Sequence, residues 1–470
     1  MALDSARPAL GTAALGLTTL ALAACTLASK PPAPTPTPVS PSPIGVEVST
    51  LSVDTAGAQT AGAYWARFAG VWWPDVEPEE GQRNWAALES YERELAAAAA
   101  LGKQSLLIVR GTPAWAQALP GVACGPIRAD KLEAFARFVG DLVARYSAES
   151  YGVRYWEFGN EPDIAPNLVP PDSLTGCWGD EADPGYGGAT YAGMLREVYP
   201  AVKLAEAEAQ VLVGGLVLDC NPALTEACPD GRPARFLEGV LQGGGRDYFD
   251  GVSYHAYDFY QARIGLVGRY ANAGWDSAWN TTGPVLLAKA AHLRGVLDQY
   301  DATGKFLMAT EIALLCGSGT GEEVEPECQA TFEFTKAYYV AQAYAGAVTS
   351  GLPATLWYNR AGWRNTVLAN ADNSPRPAHR ALQVAVERLG QAEPLGAIGP
   401  EEVGGEAGIA GYAFRRNGRT EWLIWSRDGN IHRLMLPSQP EAVSDVFGAA
   451  APSNLALDVS VAPFYIDWLP

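Results

Sequence analysis

The chain has 470 residues, of which 48% are hydrophobic and 18% charged, and its formal net charge is -19. This composition predicts a globular protein with a large core, and it excludes the basic surface that nucleic acids or anionic membranes require. The length exceeds one average domain, although barrels of alternating strands and helices reach about 250 residues or more as one unit.

The N-terminal segment has the pattern of an export signal. Residues 10–24 form an apolar run that is short for a membrane span, and two alanines at its end precede Cys25. Small residues before a cysteine resemble a bacterial lipobox, so we interpret residues 1–25 as a lipoprotein signal peptide with lipidation at Cys25. An ordinary secretory signal is the alternative. Residues 26–43 contain seven prolines, which suits an extended tether between a membrane and an extracytoplasmic domain.

Residues 44–390 alternate between apolar, β-branched runs and segments with helical periodicity. The predicted strands are 44–50, 64–70, 104–110, 153–159, 210–217, 249–256, 305–311 and 353–358. The predicted helices are a weak one at 54–62 and then 84–101, 129–148, 188–208, 233–242, 284–303, 329–350 and 376–390. Eight strands alternating with eight helices predict an α/β fold, a (β/α)8 TIM barrel. A doubly wound open sheet is the alternative, but no GxGxxG lies between a strand and a helix.

The pattern changes after residue 390. Residues 394–470 contain short alternating segments separated by turn signals such as Asn417-Gly418 and Asp428-Gly429. The alternating segments are 409–415, 421–426, 432–436 and 455–461. We therefore predict a small C-terminal antiparallel β domain that packs on the barrel.

Six cysteines follow the proline-rich tract, and an even number in an exported protein predicts disulfide bonds. They are Cys124, Cys177, Cys220, Cys228, Cys316 and Cys328. The two pairs closest in sequence lie in loop-like segments, which leaves Cys124 with Cys177, although other connectivities remain open. No CxxC occurs and the four histidines are scattered, so we expect no zinc site.

Two glutamates lie at the C-terminal ends of predicted strands, and this is the end where a barrel enzyme carries its active site. Glu161 precedes Pro162, which cannot continue a sheet ladder, so the fourth predicted strand stops there. Glu311 ends the seventh predicted strand, and the ends of strands four and seven can face one another across a barrel mouth. A solvated turn at Glu161 and a structural charge at Glu311 are the alternatives. A carboxylate pair so placed suits the cleavage of a glycosidic bond.

The segment Trp156-Glu157-Phe158-Gly159-Asn160-Glu161-Pro162 resembles the Asn-Glu-Pro signature of clan A glycoside hydrolases. These are (β/α)8 retaining enzymes with an acid/base glutamate on strand four and a nucleophilic glutamate on strand seven. Further segments match in order: 64–68, 73–78, 112–115, His255-Ala256-Tyr257 and Trp357. The resemblance covers about residues 44–390, and the tail is similar to the β domain of family 39 enzymes. Families 5 and 39 look closest, and the sequence does not decide between them.

The resemblance implies that Glu161 is the general acid/base and Glu311 the nucleophile. It also implies substrate-binding roles for Arg67, Asn160, His255, Tyr257 and Trp357. In these roles Arg67 and Tyr257 hold Glu311 ionised, Asn160 donates to a sugar hydroxyl, His255 faces the mouth, and Trp357 offers a face for sugar stacking. The alternatives are that Arg67 is a buried ion-pair partner of Glu47, that His255 belongs to the core, and that Glu157 is the acid. Five further tryptophans are either sugar platforms or packing residues: Trp72, Trp73, Trp115, Trp178 and Trp363.

The sequence therefore predicts an exported, membrane-tethered retaining glycoside hydrolase that acts on a β-linked oligo- or polysaccharide without a metal or organic cofactor. A non-catalytic glycan-binding lipoprotein on a decayed barrel is the alternative from another class, and a transglycosidase would use the same site. The sugar, the linkage, endo or exo action and the oligomeric state do not follow from the sequence.

Overall fold

The structure is a computed structural model that describes residues 42–48, 50–52, 60–224, 228, 234–260, 275–276, 279, 284–317, 328, 330–360 and 363–469. The predicted signal peptide with Cys25, nearly all of the proline-rich tract and most of the weak helix predicted at 54–62 lie outside these residues. Across the described ranges, no helix combines the length and the apolar character needed to cross a membrane.

Eight parallel strands close into a ring, which confirms the predicted TIM barrel. The ring runs β1–β2–β4–β5–β6–β7–β9–β10 and returns to β1, with every neighbouring pair parallel. The strands are β1 Ile44–Glu47, β2 Trp65–Arg67, β4 Gln104–Arg110, β5 Tyr155–Asn160, β6 Gln210–Leu216, β7 Gly251–Tyr260, β9 Phe306–Leu315 and β10 Thr355–Tyr358. Two short strands extend it, β3 Val71–Trp72 beside β4 and β8 Trp275–Asp276 antiparallel to β7.

Helices follow the strands around the outside of the ring. They are α1 Trp73–Val76, α2 Glu89–Ala100, α3 Leu132–Tyr146, α4 Gly188–Ala205, α5 Phe236–Gln242, α6 Val285–Gln299, α7 Ala330–Thr349 and α8 Pro377–Leu389. Single 3-10 turns occupy Trp85–Leu88, Ala129–Lys131, Pro166–Leu168 and Arg246–Tyr248. The helix predicted at 84–101 therefore begins as a 3-10 turn and becomes α-helical at Glu89.

The lower interior of the barrel, here called the floor, is filled by apolar side chains. Inward positions of five strands and the residue before β10 form one buried cluster: Trp65, Leu106, Ile108, Leu212, Met308, Ala354 and Leu356. Alternate residues of the same strands point outward and belong to the core shared with the helices. The period of two therefore assigns each strand residue to the interior or to the helix layer.

The C-terminal residues form two antiparallel sheets, as predicted. The larger sheet has the order β11–β12–β13–β18–β15–β16, and the smaller pairs β14 with β17. The strands are β11 Glu393–Ala397, β12 Ile409–Arg416, β13 Arg419–Ser426, β14 His432–Met435, β15 Ala442–Asp445, β16 Ala450–Ala451, β17 Ala456–Val459 and β18 Phe464–Asp467. Phe414, Leu423 and Tyr465 join the barrel core, so the larger sheet packs on the barrel.

Three disulfide bonds are present, and they have the predicted pairing. Cys124 is bonded to Cys177, which ties the loop after β4 to the loop after β5. The other two bonds, Cys220–Cys228 and Cys316–Cys328, close short loops after β6 and β9. All three therefore lie at the end of the barrel where the strands finish, which is here called the mouth.

Candidate active site

Glu161 lies immediately after β5, where the backbone turns twice through left-handed conformations. Gly159 has a φ of 83° and Glu161 a φ of 58°. The first turn breaks the strand alternation and brings Asn160 to the inner side, and a glycine adopts it without strain. The second costs a non-glycine residue about 1 kcal/mol or more, and the Glu161 N–H is held by a 2.9 Å bond to the Gly215 carbonyl oxygen. Such strain at a strand end is typical of a functional position.

Glu311 lies within β9 and not at its end, because the strand continues for four residues to Leu315. This corrects the predicted strand 305–311. On β7, Tyr254 pairs with Ala309 and the next residue, His255, pairs with Glu311, so Thr310 is an extra residue in the ladder. A bulge of this kind shifts the side-chain alternation by one position. Met308 points into the floor, and the bulge turns Glu311 toward the interior as well.

Arg67 is the charged centre of the site and is almost fully buried. Its Nη1 atom donates to a carboxylate oxygen of Glu47 and to one of Glu311. Its Nη2 atom donates to Glu157 Oε1 at 2.7 Å and to Asn160 Oδ1 at 2.8 Å. The guanidinium therefore joins residues from β1, β5 and β9 in one network. Because Arg67 engages the amide oxygen of Asn160, the amide NH2 remains as the donating end.

His255 and Tyr257 stand two residues apart on β7, and both face the interior as the regular strand predicts. His255 Nδ1 lies 2.8 Å from Glu161 Oε1 and 3.4 Å from Glu311 Oε2, and its Nε2 lies 3.4 Å from Arg67 Nη2. The Tyr257 hydroxyl donates to Glu311 Oε2. A Cβ on Gly215 would lie 2.2 Å from His255 Nε2, so only glycine leaves room for the ring there.

The charges around Glu311 favour its ionised form. Burial opposes ionisation, but the positive charges of His255 and Arg67 and the Tyr257 hydrogen bond outweigh it and lower the pKa of Glu311. Burial also disfavours a charged His255, yet the negative charges of Glu311 and Glu161 raise the pKa of the imidazole. Burial raises the pKa of Glu47 to about 7 against the opposing charge of Arg67. The three groups therefore share one electrostatic network.

Glu161, His255 and Glu311 also satisfy the distance criterion for a metal site. One ligand-type atom from each lies within 4.8 Å of the others, and no further group of three such residues occurs in the described part of the chain. Arg67 already places a permanent positive charge against Glu311 and beside His255. A divalent cation bound here would be repelled by that guanidinium. The three residues are therefore better suited to pair with Arg67 than to bind a metal ion.

Trp357 does not lie in the mouth, which contradicts the prediction that it stacks on a sugar. Its ring is fully buried on the helix side of β10, 6.2 Å from the Tyr339 ring, and its indole N–H donates to the Thr366 carbonyl oxygen at 2.8 Å. Leu356 points into the floor, and by alternation Tyr358 is the residue that points into the mouth. The Tyr358 ring contacts the rings of Tyr257 and Trp363 at 6.0 and 4.8 Å.

The other tryptophans divide between the mouth and the core. Trp363 lies 5.3 Å from the Tyr257 ring and is partly exposed, so it is the candidate that adjoins the carboxylates. Trp73 is fully buried and packs against Trp115, and the indoles of both bond to Glu77. Trp72 and Trp178 line a cavity of about 30 Å³ beside β4. Its lining residues do not include either carboxylate.

Glu157 is unsuited to be the acid, although the sequence left that alternative open. Its side chain is completely buried and is held by Arg67, whereas Glu161 keeps 14% of its side-chain surface exposed. Arg67 makes both of the contacts that the sequence analysis treated as alternatives: it forms an ion pair with Glu47 and it also contacts Glu311. The sequence reasoning treated Glu47 only as an ion-pair partner and did not identify Tyr358 or Gly215. The available signal for Glu47 was its place in the first predicted strand, which neighbours the second predicted strand with Arg67 in a barrel.

The chain is similar in structure to glycoside hydrolases. A family 39 glycoside hydrolase from the gut symbiont Bacteroides cellulosilyticus WH2 is 19% identical, with a TM-score of 0.66 over 92% of this chain and 82% of that one. The catalytic domain of family 30 xylanase C from Talaromyces cellulolyticus is 13% identical, with a TM-score of 0.59 over 90% and 95%. A monomeric β-xylosidase from Caulobacter crescentus CB15 is 14% identical, with a TM-score of 0.55 over 90% and 95%.

No known family model and no curated protein matches the sequence. At such low identities the structural similarity establishes a shared barrel fold. The chemistry has to be argued from the site itself, since one barrel fold supports many reactions.

Proposed function

We propose that the protein is a retaining glycoside hydrolase that cleaves β-linked sugars through a glycosyl-enzyme intermediate. The observation that carries the proposal is the pair Glu161 and Glu311, which have carboxylate oxygens within 4.8 Å of each other at the barrel mouth. Retaining enzymes hold their carboxyl groups about 5–5.5 Å apart, whereas inverting enzymes need about 6.5–9.5 Å to admit a water. The short separation supports retention.

The proposed reaction assigns one role to each carboxyl group. In the first step Glu311 attacks the anomeric carbon while Glu161 gives a proton to the departing glycosidic oxygen, so one C–O bond forms as the other breaks. In the second step Glu161 accepts a proton from water, and the water oxygen displaces Glu311 from the anomeric carbon. Two displacements return the sugar with its original configuration.

The surrounding residues support these roles. Arg67 and Tyr257 engage both oxygens of Glu311, which keeps the nucleophile ionised and fixes its direction. His255 holds Glu161 through a 2.8 Å contact, and the Asn160 amide NH2 is left to donate to a sugar hydroxyl next to the anomeric carbon. The Glu161 backbone, strained yet tied to Gly215, keeps the acid in place.

We also propose that the protein works outside the cytoplasm. Three disulfide bonds are stable in an oxidising compartment and are rare in the cytoplasm. A structural neighbour, 12% identical with a TM-score of 0.56 over 89% of this chain and 91% of that one, is described as a conserved exported protein from Bacteroides fragilis. Anchoring through Cys25 remains part of the proposal. Palmitate labelling that is lost in Cys25→Ser supports it, and an unlabelled wild-type protein contradicts it.

Azide rescue distinguishes the two proposed roles. Glu311→Ala and Glu161→Ala are each expected to lower hydrolysis of an activated aryl β-glycoside by about 10³-fold or more while the unfolding midpoint stays close to wild type. Azide should react with the sugar on the face opposite the departing group. It therefore gives an α-glycosyl azide in Glu311→Ala, and in Glu161→Ala it opens the intermediate to give a β-glycosyl azide.

The reverse stereochemistry, or full activity in either variant, contradicts the proposal. Substrate binding without turnover across aryl glycosides and polysaccharides favours a non-catalytic glycan-binding protein. Products longer than the substrate indicate that a sugar replaces water as the acceptor at the same site.

A further inference from the structure

A third carboxylate, Glu47, lies in the mouth beside the proposed catalytic pair. It is the last residue of β1, and it pairs with Arg67 on β2 and with Tyr358 on β10. Arg67 Nη1 donates both to Glu47 Oε2 and to Glu311 Oε1. Glu47 and the proposed nucleophile, Glu311, are therefore bridged by a single guanidinium nitrogen.

Glu47 has an unused acceptor. Its Oε2 atom takes the bond from Arg67, and its Oε1 atom makes no hydrogen bond to any residue in the described ranges. The side chain keeps 14% of its surface exposed, while Arg67 beside it is 1% exposed. A carboxylate offers about four acceptor positions, and Glu47 has one protein donor, so its Oε1 atom is open to a donor from the mouth.

A purely structural role does not explain why this carboxylate is present. Arg67 already has a fully buried ion-pair partner in Glu157 and a second one in Glu311. Glu47 adds a third negative charge around one guanidinium, and its burial raises its pKa to about 7. Placing a third carboxylate in this partly desolvated position is costly, so a donor supplied by a ligand would offset that cost.

We propose that Glu47 is a specificity-determining residue whose Oε1 atom accepts a hydrogen bond from a free hydroxyl group of the sugar bound in the mouth. The inference rests on the proposed function and deepens it. The substrate class is a glycone with an unmodified hydroxyl at the position that faces β1, and a deoxy or O-methylated sugar at that position is rejected. A site built to bond a hydroxyl discriminates strongly, because a bound sugar that lacks the hydroxyl covers the acceptor without pairing it.

The test couples a protein change to a substrate change. The probe is the 4-nitrophenyl β-glycoside that the purified protein hydrolyses fastest, together with its series of monodeoxy analogues. Wild type is expected to lose about 10- to 100-fold in kcat/KM on one particular analogue, and Glu47→Ala about as much on the parent sugar. On that one analogue Glu47→Ala should cost less than about 3-fold, because the partner hydroxyl is already missing.

Glu157→Gln is the matched control, because Glu157 bonds to the same guanidinium but is closed off from the mouth. Glu157→Gln should lower kcat/KM by the same factor on the parent glycoside and on every analogue, as expected for an effect through Arg67 alone. Glu47→Gln keeps the side-chain shape. It should lower kcat/KM on the parent sugar by a smaller factor than Glu47→Ala, and its effect should disappear on the same analogue. It therefore provides the measurement if Glu47→Ala does not fold.

If both Glu47 variants lower kcat/KM by the same factor on all sugars, the inference is overturned. It is also overturned if the effect of Glu157→Gln disappears on the same analogue. Glu311→Ala is measured in parallel on the parent sugar. If hydrolysis persists in that variant, the proposed function is what fails. Hydrolysis that depends on Glu311 but shows no coupling to Glu47 leaves the proposed function standing and removes only the inference.

Discussion

The floor and the mouth of the barrel are built from the same eight strands, and they follow opposite rules. The floor is an apolar cluster with inward residues such as Leu106 and Met308 in ordinary strand alternation. The mouth gathers three glutamates around one buried arginine, contains a bulge, and holds Glu161 at a positive φ. The floor is arranged for stability, whereas the mouth contains features that cost stability and are typical of functional sites.

The sharpest test of this contrast changes two inward residues of one strand, Glu311 and Met308. Glu311→Gln should lower kcat/KM by about 10³-fold or more, with an unfolding free energy close to or above that of wild type, because the crowding of carboxylates around Arg67 is relieved. Met308→Ala, three residues away in the floor, should lose about 2–5 kcal/mol of unfolding free energy, because it leaves a cavity in the barrel interior. Its activity per folded molecule should be unchanged.

Denaturant unfolding and steady-state kinetics on the same two preparations provide the measurements. If Glu311→Gln proves strongly destabilised with its activity retained, or if Met308→Ala loses activity while folded, the division between floor and mouth is wrong.

Removal of the Tyr257 hydroxyl tests how the mouth sets the charge of Glu311. That hydroxyl donates to Glu311, and the pKa of Glu311 lies below its ordinary value partly for that reason. Tyr257→Phe removes the donor and therefore raises the pKa of Glu311, so the acid limb of the kcat/KM profile moves to higher pH. We expect a loss of about 10-fold near neutral pH and a larger loss near pH 4, where wild type keeps a larger fraction of Glu311 ionised than the variant does. An unmoved acid limb contradicts the role of this hydrogen bond.

The smallest effect concerns the pH dependence of stability. The pKa of Glu47 is raised from its ordinary value of 4.5 to about 7 in the folded protein, so folding favours its protonated form. Its contribution to stability is therefore fully present below about pH 4.5 and is lost as the pH rises through about 7. Glu47→Gln does not titrate, so its stability relative to wild type should increase between pH 4.5 and 8 by at most about 3 kcal/mol. A constant difference across that range is the contrary outcome.

The eight-stranded barrel was predicted from the sequence because its strands and helices depend on local patterns. Alternating apolar runs and helical stripes are visible without the fold, and so are strand ends marked by Glu161 and Pro162. The direction of Trp357 was missed because it depends on which face of β10 meets the interior, and that is fixed by neighbours distant in sequence. The bulge at Thr310 was missed for a related reason, since it exists only in the pairing of β9 with β7.

Glu47 shows where sequence reasoning reaches its limit within the site. The predicted first strand, 44–50, placed Glu47 in its middle, whereas β1 ends at Glu47; the ion pair with Arg67 was stated as an alternative. The unused oxygen, the shared guanidinium nitrogen and the exposure toward the mouth require side chains from three strands to be placed together. The mouth is therefore harder to predict than the strands and helices, because its properties arise from non-local contacts.

Trapping of the covalent intermediate tests the central claim most directly. A 2-deoxy-2-fluoro β-glycoside with a reactive leaving group should inactivate the protein and add one sugar per chain. Because Glu311 is the proposed nucleophile, peptide mapping should place the ester on Glu311, and Glu311→Gln should remain unlabelled. A sugar attached to Glu161 or Glu157, or turnover of the parent glycoside with inversion of configuration and no adduct, contradicts the account.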